Sequence, residues 1–218
     1  MNEKIIPERL SECFTVTAHA GCLGTPDNTV ESILAGINCG ADIFEIDLNF
    51  DDNGTPVLSH NTPEGSDNVL FEDALKEISD YDAIRMNIDV KRPIDLAEME
   101  RIAVKYGFGE RAFMTGIEEG FVDAVLKNCR TLKHYLNWNV KEDTDADEVV
   151  KKLIETQSIG LNTNYRFVTE ELVEKVHAEN LLVSVWTVNN EEDMIKYINM
   201  GVDNITTVCP DKLIELIK

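Results

Sequence analysis

Between Gly40 and His60 the chain reads GADIFEIDLNFDDNGTPVLSH, and two acids, Glu45 and Asp47, stand two residues apart within an apolar run. Side chains at i and i+2 of a strand share a face, so Glu45, Asp47 and Asn49 fall on one side and Phe44, Ile46, Leu48 and Phe50 on the other. Carboxylates so spaced offer hard oxygen ligands to a divalent cation. The same pattern also describes an antiparallel strand with its acidic side in water. Other stretches repeat the arrangement. His19 and Gly21 end an earlier apolar run, His60 follows the turn after the acidic strand, and Asp89 and Lys91 share a face with Ile88 and Val90 opposite. Three carboxylates on adjacent strands suit Mg²⁺ or Ca²⁺, two histidines suit a general acid and a general base, and a lysine suits an anionic oxygen.

Whether these residues meet depends on the elements that carry them. Strand patterns recur at CFTVTAHAG (13–21), the acidic strand, IRMNIDVK, AFMTGI, HYLNWNV, IGLNTNY, LLVSVWTV and NITTV. Each is followed by a helical segment: NTVESILAGINCG with Asn28 as cap and Glu31 completing a capping box, then about Leu70 to Ser79, and on to a last helix from near Pro210 to Lys218. Eight strand–helix units predict a parallel sheet with helical crossovers, closed into a single-domain (β/α)₈ TIM barrel over residues 1–218. The open doubly wound alternative lacks a GxGxxG after its first strand. In a parallel barrel both strand faces are covered, so the face bearing Glu45 and Asp47 must line the mouth. Carboxylates there are costly to desolvate unless paired or bound to a cation, which favours a functional site over a solvated face.

The 218 residues carry 20 basic and 41 acidic side chains, a formal charge of −21, which argues against nucleic acid or an anionic membrane surface as partner. Groups such as Glu170, Glu171, Glu174 and Glu191, Glu192, Asp193 read as solvated helix surfaces. No run approaches the roughly 20 apolar residues of a membrane span, and the first residues, MNEKIIPERLSECF, lack the apolar core of a signal peptide. Five scattered cysteines, Cys13, Cys22, Cys39, Cys129 and Cys209, suit a reducing, cytoplasmic setting and read as small buried residues, with a reactive thiol as the alternative for Cys22 and Cys209 near strand ends. His134 and His177 are read as structural. Trp186 is read equally as core or as ligand wall, and Asn137, Asn139, Asn162 and Asn164 as pocket wall or as partners of core backbone groups.

In order along the chain, His19-Ala20-Gly21, Pro26-Asp27-Asn28-Thr29, Gly40-Ala41-Asp42 through Glu45 and Asp47, His60-Asn61, Asp89-Val90-Lys91, Trp186-Thr187-Val188-Asn189 and Gly201-Val202-Asp203 through Pro210 resemble the glycerophosphodiester phosphodiesterase family, a (β/α)₈ group. Its members carry HRG, PEN-T, GAD-x-x-E-x-D, HD, E-x-K, WTVN and GVDGIITD-x-P at those places. The resemblance implies one divalent ion, Mg²⁺ or Ca²⁺, on Glu45, Asp47 and Asp89. It implies an acid/base pair in His19 and His60, and Lys91 and Trp186 against the phosphate and substrate. The reaction it implies releases glycerol phosphate and an alcohol from a small phosphodiester. Ala20 replaces the family's arginine, Val208 and Asn61 replace aspartates, and Asp89 replaces a glutamate. Strands one and eight adjoin in a closed barrel, so loss of both the arginine and the late aspartate would avoid an unpaired buried charge. A short loop, about 61–69, stands in place of the usual family insertion. Spider-type sphingomyelinase D enzymes share the short loop and Asp-x-Lys, which makes a phospholipid headgroup reaction the alternative. A catalytically weak barrel that binds a phosphoester is a second.

Overall fold

Runs of β-branched and apolar residues alternate with capped helical segments, and the computed structural model, which describes residues 14–65 and 67–218, turns that rhythm into a ring. The elements are β1 (Thr15–Ala18), α1 (Val30–Cys39), β2 (Ile43–Phe50), β3 (Pro56–Leu58), β4 (Val69–Leu70), α2 (Phe71–Glu77), β5 (Arg85–Val90), α3 (Leu96–Lys105) and β6 (Ala112–Ile117). They continue with α4 (Glu119–Asn128), β7 (Lys133–Asn137), α5 (Ala146–Glu155), β8 (Gly160–Asn164), α6 (Glu170–Ala178), β9 (Leu182–Trp186), α7 (Glu191–Met200), β10 (Asn204–Thr207) and α8 (Pro210–Ile217). Cys13, with which the first expected strand begins, lies outside the described residues.

β1, β2 and β5 to β10 pair in parallel in that order, and β1 also pairs with β10, so the eight strands close a (β/α)₈ barrel. Two further short strands depart from the expected eight. β3 folds back antiparallel on β2 with Leu48 opposite Leu58, and β4 adds to β3. The turn between β2 and β3 forms because the Asp51 carboxylate accepts the N–H groups of Asn53 at 2.9 Å and Thr55 at 2.8 Å, an Asx turn.

Register assigns the faces. Ile43, Glu45 and Asp47 on β2 align with Arg85, Asn87 and Asp89 on β5, and Asn87 and Asp89 align with Phe113 and Thr115 on β6. Around the rest of the ring Asn137 aligns with Asn162, Asn162 with Ser184, and Ser184 with Asn204. These residues share the inner face. The outer-facing Val16, Ile46, Leu48, Ile88, Met114, Leu161, Val183 and Ile205 join Ile33, Leu75, Met99, Val149, Val173 and Leu213 of the helices in one buried core. A second, smaller cluster of Ile43, Phe113 and Tyr135, with Ile159 and Leu182 against it, fills the amino-terminal end of the ring. The helix cap expected at Asn28 falls instead on Thr29, whose hydroxyl accepts the Ser32 N–H at 3.2 Å. The helix expected from Leu70 begins at Phe71, because Val69 and Leu70 extend as β4.

Candidate active site at the barrel mouth

The carboxyl ends of β1, β2 and β5 bring the separated residues to one place. Glu45 and Asp47 lie on a strand buried along its whole length, and Asp89 is held beside Asp47 by the β2–β5 register. One carboxylate oxygen from each of Glu45, Asp47 and Asp89 falls within 4.8 Å of the others. The hairpin then returns the chain to the site. The Ser59 N–H donates to the Asp47 carbonyl at 2.9 Å, which sets His60 Nδ1 3.3 Å from Asp47 Oδ2. His19 follows β1, its N–H bound to Thr207 O at 2.9 Å, with Nδ1 3.8 Å from Glu45 Oε2. The same nitrogen lies 2.6 Å from the Ala20 carbonyl, an acceptor, so Nδ1 carries a proton and Nε2 is left for other partners. The Ala20 N–H donates to Glu45 Oε2 at 2.8 Å.

The positive charge at the mouth comes from Lys91. The Lys91 N–H follows the sheet to Leu48 O at 2.9 Å, and its ammonium spans Asp47 Oδ1 at 2.7 Å and Asp89 Oδ2 at 2.6 Å. Burial alone would lower the lysine, but Asp89 and Asp47 outweigh it and raise its pKa. Burial would raise Asp47, and Lys91, Asn28 and His60 together hold it below the usual carboxylate range. Glu45 is pushed up to about 7, chiefly by burial, with Asp47 and Asp89 adding to the effect of its desolvation. For His19 burial acts downward, while Glu45, the Ala20 carbonyl, Asp47 and Asp89 prevail and raise it. A cluster of three hard oxygen ligands fits a divalent cation of the Mg²⁺ or Ca²⁺ type, and contains no thiolate to favour a softer metal.

These groups open into a cavity of about 430 Å³ whose wall also includes Asn87, Thr115, Gly116, Glu118, Phe121, Asn137, Asn139, Asn162, Trp186 and Thr206. Of the four asparagines considered for the wall, Asn137, Asn139 and Asn162 are there and Asn164 is not. Asn164 has the inward parity, but the chain turns at the end of β8 and its side-chain Oδ1 accepts the Arg166 N–H at 3.2 Å. Asn162 donates to Asn137 Oδ1 at 3.1 Å, which also accepts the Gly116 N–H at 2.9 Å. Trp186 stands on the cavity wall, its indole N–H buried with no partner among the described residues. Gly116, at φ 73°, admits the approach of β5. A Cβ there would meet Val90 O at 2.4 Å and an Asp89 oxygen at 2.5 Å.

Sequence reasoning missed Asn28 as a site residue. It adopts φ 57°, and its side chain exchanges two hydrogen bonds with Asp47, accepting the backbone N–H at 2.9 Å and donating to Oδ2 at 2.8 Å. The helix-cap pattern around Asn28 and Thr29 masked that role. Ala20 and Val208 lie on adjoining strand ends, Val208 O accepting the Leu23 N–H at 2.9 Å. Cys22 is fully buried, as its reading as a small buried residue expects, and burial pushes its thiol up to about 11. His134 is buried with Nε2 3.1 Å from Ser158 Oγ, and His177 pairs with Asp203 at 2.8 Å.

A sequence profile of the Glycerophosphoryl diester phosphodiesterase family matches residues 120–212. The glycerophosphodiester phosphodiesterase of Caldanaerobacter subterraneus subsp. tengcongensis is 24% identical, over 93% of this chain and 97% of its own length. Among solved structures, an Oleispira antarctica phosphodiesterase in complex with the product sn-glycerol-3-phosphate superposes with a TM-score of 0.77 at 19% identity, covering 95% of this chain and 97% of that one. A glycerophosphodiester phosphodiesterase from Parabacteroides distasonis gives 0.77 at 18% identity, with 94% and 97% covered. In its barrel, its ordered motifs and the profile match over residues 120–212, the chain is similar to the glycerophosphodiester phosphodiesterase family.

Proposed function

We propose that this protein hydrolyses a small glycerophosphodiester to glycerol phosphate and an alcohol, with one divalent cation, Mg²⁺ or Ca²⁺, on Glu45, Asp47 and Asp89, and with His19 and His60 moving the protons. The observation that carries the reading is the convergence of three carboxylates, their ligand atoms within 4.8 Å, with one histidine beside Glu45 and another beside Asp47. A cation held there supplies positive charge against the phosphodiester oxygens and the departing oxygen.

The chain's own residues do the rest. Lys91 places an ammonium at the same mouth and neutralises a non-bridging phosphate oxygen. His19 commits Nδ1 to the Ala20 carbonyl and His60 turns Nδ1 toward Asp47, so each keeps Nε2 for proton transfer. One histidine takes the proton of the glycerol hydroxyl next to the phosphoester. That oxygen bonds to phosphorus while the bond from phosphorus to the headgroup oxygen breaks, and the other histidine gives its proton to the leaving oxygen. Water then opens the cyclic phosphate with the two proton transfers reversed. Trp186 offers its N–H, unpaired among the described residues, and Asn137, Asn139 and Asn162 offer amides, to the remaining substrate oxygens. The short segment about 61–69 takes the place of a covering insertion, in keeping with a His60 side chain that is 66% exposed. The unpaired Cys22, Cys39, Cys129 and Cys209 support a cytoplasmic setting.

The test is alcohol release from glycerophosphocholine and glycerophosphoethanolamine with Mg²⁺, with Ca²⁺ and with a chelator. Turnover that the chelator abolishes, and that His19→Ala and His60→Ala each suppress, is the expected result. Turnover that survives the chelator, or none with any glycerophosphodiester, overturns the reading.

A further inference from the structure

We propose that Asn28 is a positioning residue which decides which oxygen of Asp47 faces the cation, an inference that rests on Glu45, Asp47 and Asp89 holding that ion. Asn28 contacts Asp47 twice, at the backbone N–H (2.9 Å) and at Oδ2 (2.8 Å). A backbone N–H only donates, so the Asn28 atom facing it is the carbonyl Oδ1, and the amide NH₂ is thereby fixed on the carboxylate. The two bonds close a ring between one side chain and one residue of β2. Rotation of the Asp47 carboxylate would break the second bond.

The consequence is a division of labour between the two oxygens. Oδ2 receives the Asn28 amide and faces His60 at 3.3 Å. Oδ1 shares the Lys91 ammonium, at 2.7 Å, with Asp89 Oδ2, at 2.6 Å, and as the oxygen on the Asp89 side it is the one assigned to the cation. Only an amide serves here, because one partner is a donor and the other an acceptor. A carboxylate at position 28 would set oxygen against oxygen. The backbone at Asn28 is left-handed, φ 57°, a conformation that asparagine tolerates better than most residues. The next residue, Thr29, caps α1 and does not share these bonds. Cap and carboxylate clamp are thus adjacent but separable.

Asn28→Gly keeps the left-handed backbone and deletes the amide. Thr29→Ala weakens the helix cap and leaves the amide. Calorimetric titration of the wild-type chain and both variants with Mg²⁺ and with Ca²⁺, beside thermal melts, tests the assignment. Expected are cation binding by the wild type, a 10- to 100-fold weaker affinity in Asn28→Gly of the kind that follows loss of a ligand-orienting partner, and an unchanged affinity with a lowered Tm in Thr29→Ala. Asn28→Ala, titrated in the same way, replaces the glycine variant if that one loosens the loop. Affinity in the Asn28 variants within twofold of wild type, or an equal loss in Thr29→Ala, overturns the inference and leaves the metal site standing. A wild-type chain that binds neither ion overturns the metal site and this inference together.

Discussion

The two ends of the barrel interior are built from the same strands and do opposite things. At the amino-terminal end Ile43, Phe113 and Tyr135 close the ring with an apolar plug, Phe113 and Tyr135 tilted against each other at 5.2 Å between centroids. At the carboxyl end, two to four residues further along β2, Glu45 and Asp47 line a polar mouth with Asp89, Lys91, His19 and His60. Between them lies a layer of amides and hydroxyls. Asn204 donates to Thr15 O, Thr15 Oγ1 and Thr17 Oγ1 and accepts from Ser184, while Thr115 donates to Asn87. The plug stabilises by excluding water, and the mouth concentrates unlike charges at a cost in desolvation that their mutual pairing offsets. The difference teaches that stability and reactivity are separated along the strand axis. Substitutions at the two ends should therefore register in different measurements.

The sharpest break is His60→Ala at the mouth. Steady-state kinetics should show kcat falling by about 10²- to 10⁴-fold, while Tm barely moves, because the side chain is 66% exposed. Phe113→Ala at the floor should reverse the pattern. Urea melts should report a loss of about 3–5 kcal/mol for a buried aromatic truncated to alanine, with kcat of the folded fraction unchanged. A comparable kcat loss in Phe113→Ala would end the separation. Gly116→Ala reaches both ends of the argument, since its Cβ meets Val90 and Asp89 at φ 73°. A left-handed alanine and an overpacked contact together should cost about 2–4 kcal/mol, and cation affinity measured by calorimetry should fall with it. Asn204→Ala in the middle layer leaves the Ser184 and Thr17 hydroxyls short of partners. Denaturant melts should show about 1–3 kcal/mol lost.

The smallest effect concerns a histidine outside both ends. Burial lowers the pKa of His134, which stands against Ser158. The unfolded chain then binds a proton that the folded one refuses. Its contribution is complete above the ordinary histidine value near 6.5 and is lost as pH falls toward the lowered folded value. His134→Gln should flatten stability against pH between about 7.5 and 5 in melts at each pH. A slope that survives in His134→Gln would assign it elsewhere.

Much of this was legible beforehand, for local reasons. Alternation put Glu45 with Asp47 and Asp89 with Lys91, because successive strand side chains point to opposite faces. The strand–helix rhythm implied a parallel sheet, and a parallel sheet leaves no solvated face for the acids. What failed was local competition. Asn28 and Thr29 both look like caps, and only the fold shows that Thr29 takes the helix while Asn28 crosses to Asp47, 19 residues away. Asn164 has the parity of Asn162 yet turns back to its own loop.

By itself, then, the sequence determined the barrel, the inward face of each strand and the acids and histidines available at its carboxyl end, since backbone geometry and side-chain period are properties of neighbouring residues. Only the tertiary structure decided that a hairpin returns His60 to Asp47, that the Lys91 ammonium bridges Asp47 and Asp89, and that Asn28 fixes the Asp47 carboxylate. Each of those is a meeting of atoms held by different strands or loops, and closure of the ring sets their distances.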